Sequence, residues 1–158
     1  MVTILAVMLI QPFVYIREQA RKTVCFNNLA NLYVAATGYV ADNQSWPQIA
    51  TNEMDKPAYA EAWIAAFSPY KISRDSWICP SIQLQLHNPD YHQTARVDYI
   101  GTTFDSDPHS PSKYPTHPWF SERGDVHGDG NLIVFANGQI KSLAQVVRDS
   151  RGKTIEEQ

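Results

Sequence analysis

Several classes of protein need features that this chain has little of. Two cysteines are too few for a disulfide scaffold or a four-thiolate zinc site. Thirteen Lys and Arg residues against sixteen Asp and Glu residues give a net charge of −3. The chain therefore lacks the basic excess that non-specific nucleic-acid binding needs, and we expect no nucleic-acid partner. Because 44% of the residues are hydrophobic and only 18% are charged, a disordered polyelectrolyte is excluded.

The motifs of common enzyme classes are missing as well. The sequence has no Gly-x-Ser-x-Gly elbow, no phosphate-binding glycine-rich loop and no cysteine in a protease signature. No two of the five histidines have the i, i+4 spacing of helical zinc motifs. We therefore expect no enzyme activity and assign no catalytic residue, no cofactor and no metal site. Cys25 and His127 are the only candidates for a reactive group.

The segment 125–130 is similar to the start of a calcium-binding loop, with acidic residues at Asp125 and Asp129. The twelfth position of such a loop needs a bidentate Glu, but Ala136 stands there. A plain turn rich in Gly and Asp is the favoured interpretation, with calcium as the alternative.

The chain opens on an apolar segment that ends abruptly. Residues 1–16 carry no charge before Arg17. Since a membrane span needs about 20 apolar residues, we predict the distal part of a membrane anchor, with a buried core helix as the alternative. The helical pattern continues to about Val40, where one apolar stripe is formed by Cys25, Leu29, Leu32, Ala36 and Tyr39.

The remaining sequence predicts shorter elements. A second helix is expected over residues 58–67. Strands are expected over three segments, 77–79, 96–104 and 131–143. Within the last of these, Asn137-Gly138 predicts a type I′ hairpin turn, in which both central residues have positive φ. Residues 105–130 are rich in proline and polar residues, which favours a loop.

Together these patterns predict an α+β fold, in which a long N-terminal helix packs against a small antiparallel sheet with one short second helix. We divide the 158 residues into a protruding hydrophobic helix (1–24), a globular head (25–148) and a polar tail (149–158). A helix that reaches Val40 would be on the order of 60 Å long, more than a head of this size can bury. Its first half is therefore expected to contact lipid or a partner helix.

The two cysteines are expected to lie close together. Cys25 belongs to the inward stripe of the helix, and Cys79 follows a short predicted strand that should pack on it. We predict a Cys25–Cys79 bridge, which in an oxidising compartment would contribute about 4 kcal/mol of stability in the chain-entropy model. Two buried free thiols are the alternative.

Several motifs occur in an order that resembles a known family. They are REQARKTVC at residues 17–25, YVADNQSWP at 39–47, WICPS at 77–81, and His127 separated by nine residues from Asn137-Gly138. Over about residues 4–143 the chain resembles the type IV pilin-like proteins of the Planctomycetes and Verrucomicrobia, which are relatives of the major pseudopilin of type II secretion. The family's signature is His-x9-Asp-Gly, so Asn137 replaces its Asp.

The family begins with a basic leader, a Gly cleavage site and a Phe-Thr-Leu-Ile-Glu start, none of which occurs in the sequence. Met1 aligns inside the family's hydrophobic helix. We therefore expect the extreme N-terminus to be missing, and about ten to fifteen further helical residues to precede Met1, because sixteen residues at 1.5 Å each fall short of a bilayer.

The resemblance implies a structural subunit of a type IV pilus-like or type II secretion pseudopilus-like filament. Its partners would be copies of itself or other pilin-like subunits, bound through the N-terminal helix. It would be a single-pass protein of the inner membrane, with its head in the periplasm or in an extracellular filament. The alternative is a membrane-tethered extracytoplasmic binding module that does not polymerise. It would use the loop 105–130, with Tyr114, His117 and Trp119, to hold a glycan or another partner. A small hydrolase is less favoured.

Overall fold

A computed structural model describes the backbone of residues 2–52 and 54–156 and the side chains of residues 15–52 and 54–152. The predicted α+β fold is confirmed: a long N-terminal helix packs against a four-stranded antiparallel sheet. The helices are α1 (Val2–Asn43), α2 (Pro57–Phe67), α3 (Pro80–Gln85) and α4 (Leu143–Glu156). The strands are β1 (Tyr99–Gly101), β2 (Pro118–Glu122), β3 (Leu132–Phe135) and β4 (Ile140–Ser142). Short 3₁₀ turns lie at Ser68–Tyr70, Arg74–Trp77 and Ser110–Ser112.

Helix α1 spans 42 residues and is therefore about 63 Å long. Its predicted stripe faces the head: Cys25, Leu29, Leu32 and Ala36 are fully buried, and Tyr39 packs at the edge of the core. The helix ends where Gln44 adopts a left-handed conformation (φ 52°) and its N–H donates to the carbonyl of Val40. Pro47 follows, and a proline there prevents the helix from continuing.

The sheet is a meander in the order β1-β2-β3-β4, with every neighbouring pair antiparallel. Tyr99 on β1 faces Glu122 on β2, and Phe120 on β2 faces Val134 on β3. Helix α1 packs against β2, β3 and β4. The C-terminal half of α1 therefore forms one wall of the core.

Two of the sequence predictions, one for a strand and one for a loop, need correction. The strand predicted over 77–79 is wrong, because a 3₁₀ turn ends at Trp77 and Cys79 caps α3, with Pro80 at the first helical position where proline is favoured. The segment predicted as a loop over 105–130 contains β2, which begins at Pro118. The many prolines of this segment favoured a loop, but proline is tolerated at the first residue of a strand, where Pro118 lies.

The predicted hairpin is confirmed, but its turn is of another type. Of the two turn residues, Gly138 has positive φ (78°) and Asn137 does not. The N–H of Gly138 donates to the carbonyl of Phe135 at 2.8 Å, and the N–H of Phe135 donates to the carbonyl of Gln139 at 2.9 Å. This is a three-residue loop built on a type I turn with a left-handed glycine, so the predicted type I′ turn is wrong.

Helix α4 begins where a strand was predicted to end and continues to Glu156, within the segment predicted as a polar tail. Ser142 and Gln145 form a capping box at its start: the N–H of Gln145 donates to the Ser142 hydroxyl, and the N–H of Ser142 donates to Oε1 of Gln145 at 2.9 Å. The Ser-x-x-Gln spacing was the signal in the sequence that could have located this helix.

Within the described residues, no helix combines the length and the apolarity needed to cross a membrane. Charged side chains recur along α1 at Arg17, Glu18, Arg21, Lys22 and Asp42. The finding contradicts the predicted location as a single-pass protein of the inner membrane, which is therefore wrong. The anchor predicted over residues 1–16 falls, apart from Tyr15 and Ile16, outside the residues whose side chains the structure describes.

Candidate functional site

Cys25 and Cys79 form a disulfide, which confirms the predicted pairing. Their Cα atoms lie 5.3 Å apart, and both residues are fully buried. Cys25 comes from the inward stripe of α1, and Cys79 is the residue that caps α3. The bridge therefore joins the long helix to the head.

Buried polar groups hold the backbone around the bridge. The N–H of Cys79 donates to Oδ2 of Asp98 at 2.9 Å, and Arg96 donates to both oxygens of the same carboxylate. Burial raises the pKa of Asp98 even though Arg96 acts to lower it. The side-chain amide of Asn28 donates to the carbonyl of Ile78, the residue before Cys79, at 2.9 Å. These contacts fix where the Cys79 side chain lies.

Glu122 and His127 lie beside the bridge and come from one end of the sheet, where β2 stops. Glu122 is the last residue of β2 and only 1% exposed, while His127 sits in the loop that leads to β3 with its side chain fully buried. Nε2 of His127 lies 3.3 Å from Oε1 of Glu122. The N–H of Leu132 lies 3.5 Å from Oε2 of the same carboxylate.

The turn that presents His127 is the segment with a likeness to a calcium loop. Asp125 accepts the N–H of Gly128 at 2.9 Å, and Asp129 forms an ion pair with Lys22 of α1 at 2.7 Å. Gly128 and Gly130 both have positive φ, which glycine adopts without strain. Both aspartates thus have partners within the chain.

Helix α1 places a second carboxylate on the other side of the imidazole. Oε1 of Glu18 lies 3.5 Å from Nδ1 of His127 and accepts the Ser81 hydroxyl at 3.2 Å. Arg21, one turn along the helix, donates to Oε2 of Glu18 and is the main cause that lowers the pKa of this carboxyl. Glu18 and Cys25 are seven residues apart, which is two helical turns, so both face the same part of the head.

The arrangement brings four metal-ligating side chains to one point. One ligand atom from each of Cys25, Cys79, Glu122 and His127 lies within 4.8 Å of all the others. Sequence reasoning found both cysteines and the histidine, but missed Glu122 and Glu18. The signal for Glu18 was its helical spacing from Cys25, and Glu122 carried none because its strand was not predicted.

The surroundings of His127 perturb its titration. Burial acts to lower the pKa of the imidazole, but the hydrogen bond and charge of Glu122, followed by those of Glu18, outweigh it and raise the pKa above the ordinary 6.5. A raised pKa in the folded state means that protonated His127 stabilises the fold fully below about pH 6.5. That contribution is lost as the pH rises through the folded-state pKa.

We expect Glu122→Gln to lower the pKa of His127 in the oxidised protein, because it removes the main favourable partner of the imidazolium. The pKa is measured from the ¹⁵N chemical shifts of the imidazole during a pH titration. Glu61→Gln, which changes an exposed carboxylate paired with Arg74, is the matched control and should leave the pKa of His127 as it is. Equal midpoints in the wild type and Glu122→Gln would contradict the expected coupling.

The other two residues of the His-x9-Asp-Gly-like signature do not join this cluster. Asn137 and Gly138 lie in the turn after β3, whereas His127 lies before it. A Cβ at Gly138 would lie 3.1 Å from the ring of Tyr33, so the glycine allows the turn to approach α1. The Tyr33 hydroxyl also donates to the carbonyl of Ala136 at 3.2 Å. The signature thus contacts α1 at two separate places.

Comparisons with models of protein families, with curated proteins and with solved structures found no match for this chain. The resemblance to pilin-like proteins therefore stays a prediction.

Proposed function

We propose that this chain is a structural subunit of a filament of the type IV pilus or type II secretion pseudopilus kind. It assembles with copies of itself, or with other pilin-like subunits, through α1. The α+β fold with a long N-terminal helix against an antiparallel sheet supports the proposal. We assign no catalytic role to the chain.

The observation that carries the proposal is the outward face of α1. Helical spacing places one row of side chains opposite the buried stripe, and no member of this row is charged: Tyr15, Ile16, Gln19, Thr23, Phe26, Ala30, Val34, Thr37 and Ala41. Several are large, apolar and open to solvent, with exposed fractions of 69% for Val34 and 61% for Ile16. A solvated helix face normally carries charges, so an uncharged row of this length is typical of a surface that packs on another helix.

Three of the charged side chains of α1, those of Glu18, Arg21 and Lys22, lie on its head-facing flank and have partners within the chain. Glu18 pairs with Arg21, and Lys22 pairs with Asp129 of the loop before β3. These pairs leave the outward row free for apolar contact. Two such helices can therefore approach each other without burying an unpaired charge, which would be costly.

The proposal predicts that Val34→Glu weakens self-association of the full chain. A carboxylate within the row would be desolvated in a helix–helix contact, and we expect the dissociation constant to rise by at least about tenfold. Sedimentation velocity over a range of concentrations measures the association, and negative-stain electron microscopy shows whether filaments form.

Leu84→Glu is the matched control, because Leu84 on α3 is also apolar and half exposed but lies away from α1's outward face. It should leave association unchanged. The proposal fails if the wild-type chain stays monomeric at all concentrations, or if Val34→Glu and Leu84→Glu have equal effects.

One of the three residues assigned to the binding-module alternative is buried and cannot contact a ligand. Trp119 is only 3% exposed, and its indole N–H donates to the carbonyl of Pro111 at 2.7 Å. Its ring packs at a tilt against Trp46 in the core, with centroids 5.1 Å apart. Trp119 thus stabilises the head and offers no platform to a sugar, so we put forward no second function.

A further inference from the structure

The Cys25–Cys79 bridge is surrounded by groups that a disulfide does not need. A disulfide is neutral and makes no use of a carboxylate or an imidazole, and apolar neighbours would bury it at lower cost. Instead Glu122 and the His127 side chain are both buried within 4.8 Å of the two sulfurs. Four side chains with suitable ligand atoms thus converge on one buried point.

The four ligand types match one metal ion in particular. Zn²⁺ takes thiolate sulfur, imidazole nitrogen and carboxylate oxygen, nearly always as four tetrahedral ligands in structural sites. Bonds of about 2.0–2.3 Å place such ligands about 3.3–3.8 Å from one another. The observed limit of 4.8 Å therefore requires only small side-chain rotations to reach this geometry. Hard cations such as Ca²⁺ and Mg²⁺ are disfavoured by the two sulfurs.

We propose that, when the Cys25–Cys79 bridge is reduced, Cys25, Cys79, Glu122 and His127 bind one Zn²⁺ ion. The site exchanges a covalent link between α1 and α3 for a metal link that also includes β2 and the loop before β3. This inference goes beyond the proposed filament role and does not depend on it.

The groups outside the four ligands are placed as a zinc site requires. A metal-bound histidine usually donates its other ring N–H to a carboxylate, and Glu18 lies 3.5 Å from Nδ1 of His127. Nε2, which faces Glu122, is then the nitrogen that binds the metal. Asp98 positions the backbone of Cys79 by accepting its N–H at 2.9 Å. The ligands are thus supported before a metal arrives.

A dithiol serves as the reductant that converts the Cys25–Cys79 disulfide into two thiols. The S–S bond breaks, two S–H bonds form at Cys25 and Cys79, and the dithiol closes to its own disulfide after giving up two electrons and two protons. Zn²⁺ then displaces both thiol protons, and the two sulfurs, an imidazole nitrogen and a carboxylate oxygen become its ligands. His127 binds as the neutral imidazole, so any proton that it carried is released as well.

The test uses the full chain, reduced with a water-soluble phosphine and freed of oxygen, with Co²⁺ as a spectroscopic substitute for Zn²⁺. We expect one Co²⁺ per chain, with the visible absorption of a tetrahedral ion and the near-ultraviolet absorption of thiolate-to-cobalt charge transfer. Zn²⁺ should displace the Co²⁺ and abolish both signals. The oxidised chain should bind no Co²⁺ in this manner.

His127→Ala and Glu122→Gln are each expected to weaken Co²⁺ binding by at least about tenfold. His117→Ala is the matched control: His117 is half-buried and packs against Phe104 and Tyr114 rather than near the bridge, and its removal should leave the affinity unchanged. Two variants are used so that misfolding of one does not decide the result.

Four outcomes would overturn the proposal. The reduced chain forms no one-to-one Co²⁺ complex, or the oxidised chain binds Co²⁺ equally well. The Co²⁺ affinity is unchanged in both His127→Ala and Glu122→Gln, or the reduced chain unfolds and Zn²⁺ does not refold it. Circular dichroism of the reduced chain with and without Zn²⁺ covers the last case. Refolding by Zn²⁺ would support the site, because binding free energy is then folding free energy.

Discussion

Replacing both cysteines by alanine, in the variant Cys25→Ala/Cys79→Ala, should lower the free energy of unfolding by about 4 kcal/mol. The bridge joins residues 54 positions apart, so without it the unfolded chain gains the freedom of a long loop. In the folded protein the two cysteines tie α1 to the start of α3, and no other covalent link between these described elements takes over. Urea denaturation of the oxidised wild type and the double variant, followed by circular dichroism, measures the difference.

The reduced, chelator-treated wild type is the internal control for this measurement, because it lacks the bridge but keeps both side chains. It should resemble the double variant. Adding Zn²⁺ should then stabilise the reduced wild type and leave the double variant unchanged, since only the former keeps the sulfur ligands. A double variant within about 1 kcal/mol of the oxidised wild type would contradict the role assigned to the bridge.

The parts of the fold that follow from short-range patterns were predictable. The stripe from Cys25 to Ala36 repeats every three or four residues, and a helix with such a stripe must bury it. The prediction that Cys25 meets Cys79 followed from this stripe and from a strand predicted just before Cys79, and the pairing is confirmed although a 3₁₀ turn stands in place of that strand. Both features depend on neighbours in the sequence, which a single chain displays.

The parts that depend on distant contacts were not predictable in the same way. Strand β2 is defined by its pairing with β1 and β3, and its first residue, Pro118, favours a loop when read alone. The turn at Asn137 likewise responds to a distant segment: the N–H of Asn137 donates to the carbonyl of Pro115 at 3.1 Å, and the N–H of Ala136 donates to that of His117 at 2.8 Å. The turn has type I geometry and makes these contacts, whereas the Asn-Gly dipeptide by itself favours type I′.

The candidate site shows the same division. The sequence indicates Cys25 and His127 individually as candidates for a reactive group. A site, however, is defined by the distances between its residues, which the sequence does not give. Glu122 reached it through the register of the sheet, and Glu18 through the packing of α1 on the head. Sequence order places these carboxylates 104 residues apart, at positions 18 and 122. Only the fold brings both to the same imidazole.

Trp63→Ala should also have a large effect, lowering the free energy of unfolding by about 3–5 kcal/mol. Trp63 on α2 is 2% exposed and lies at the centre of the aromatic core. Its ring packs edge-on against Phe67 and Phe120, with centroids 5.6 and 5.5 Å away, and also against Trp46 and Trp77. Alanine would leave a cavity among these rigid rings, and urea denaturation followed by circular dichroism measures its cost.

Gly101 on β1 provides a sharper form of the same test. A Cβ at this position would clash with the ring of Trp63, so Gly101→Ala should be strongly destabilising in the wild type. In the Trp63→Ala background the clashing ring is absent, and the same substitution should cost far less, giving a coupling energy of about 1–3 kcal/mol. Tyr114→Ala, which truncates a half-exposed aromatic residue, should change stability by no more than about 0.5 kcal/mol. Additive effects of Trp63→Ala and Gly101→Ala would show that the two residues are not in contact, and that the close packing of α2 on β1 is not a source of stability.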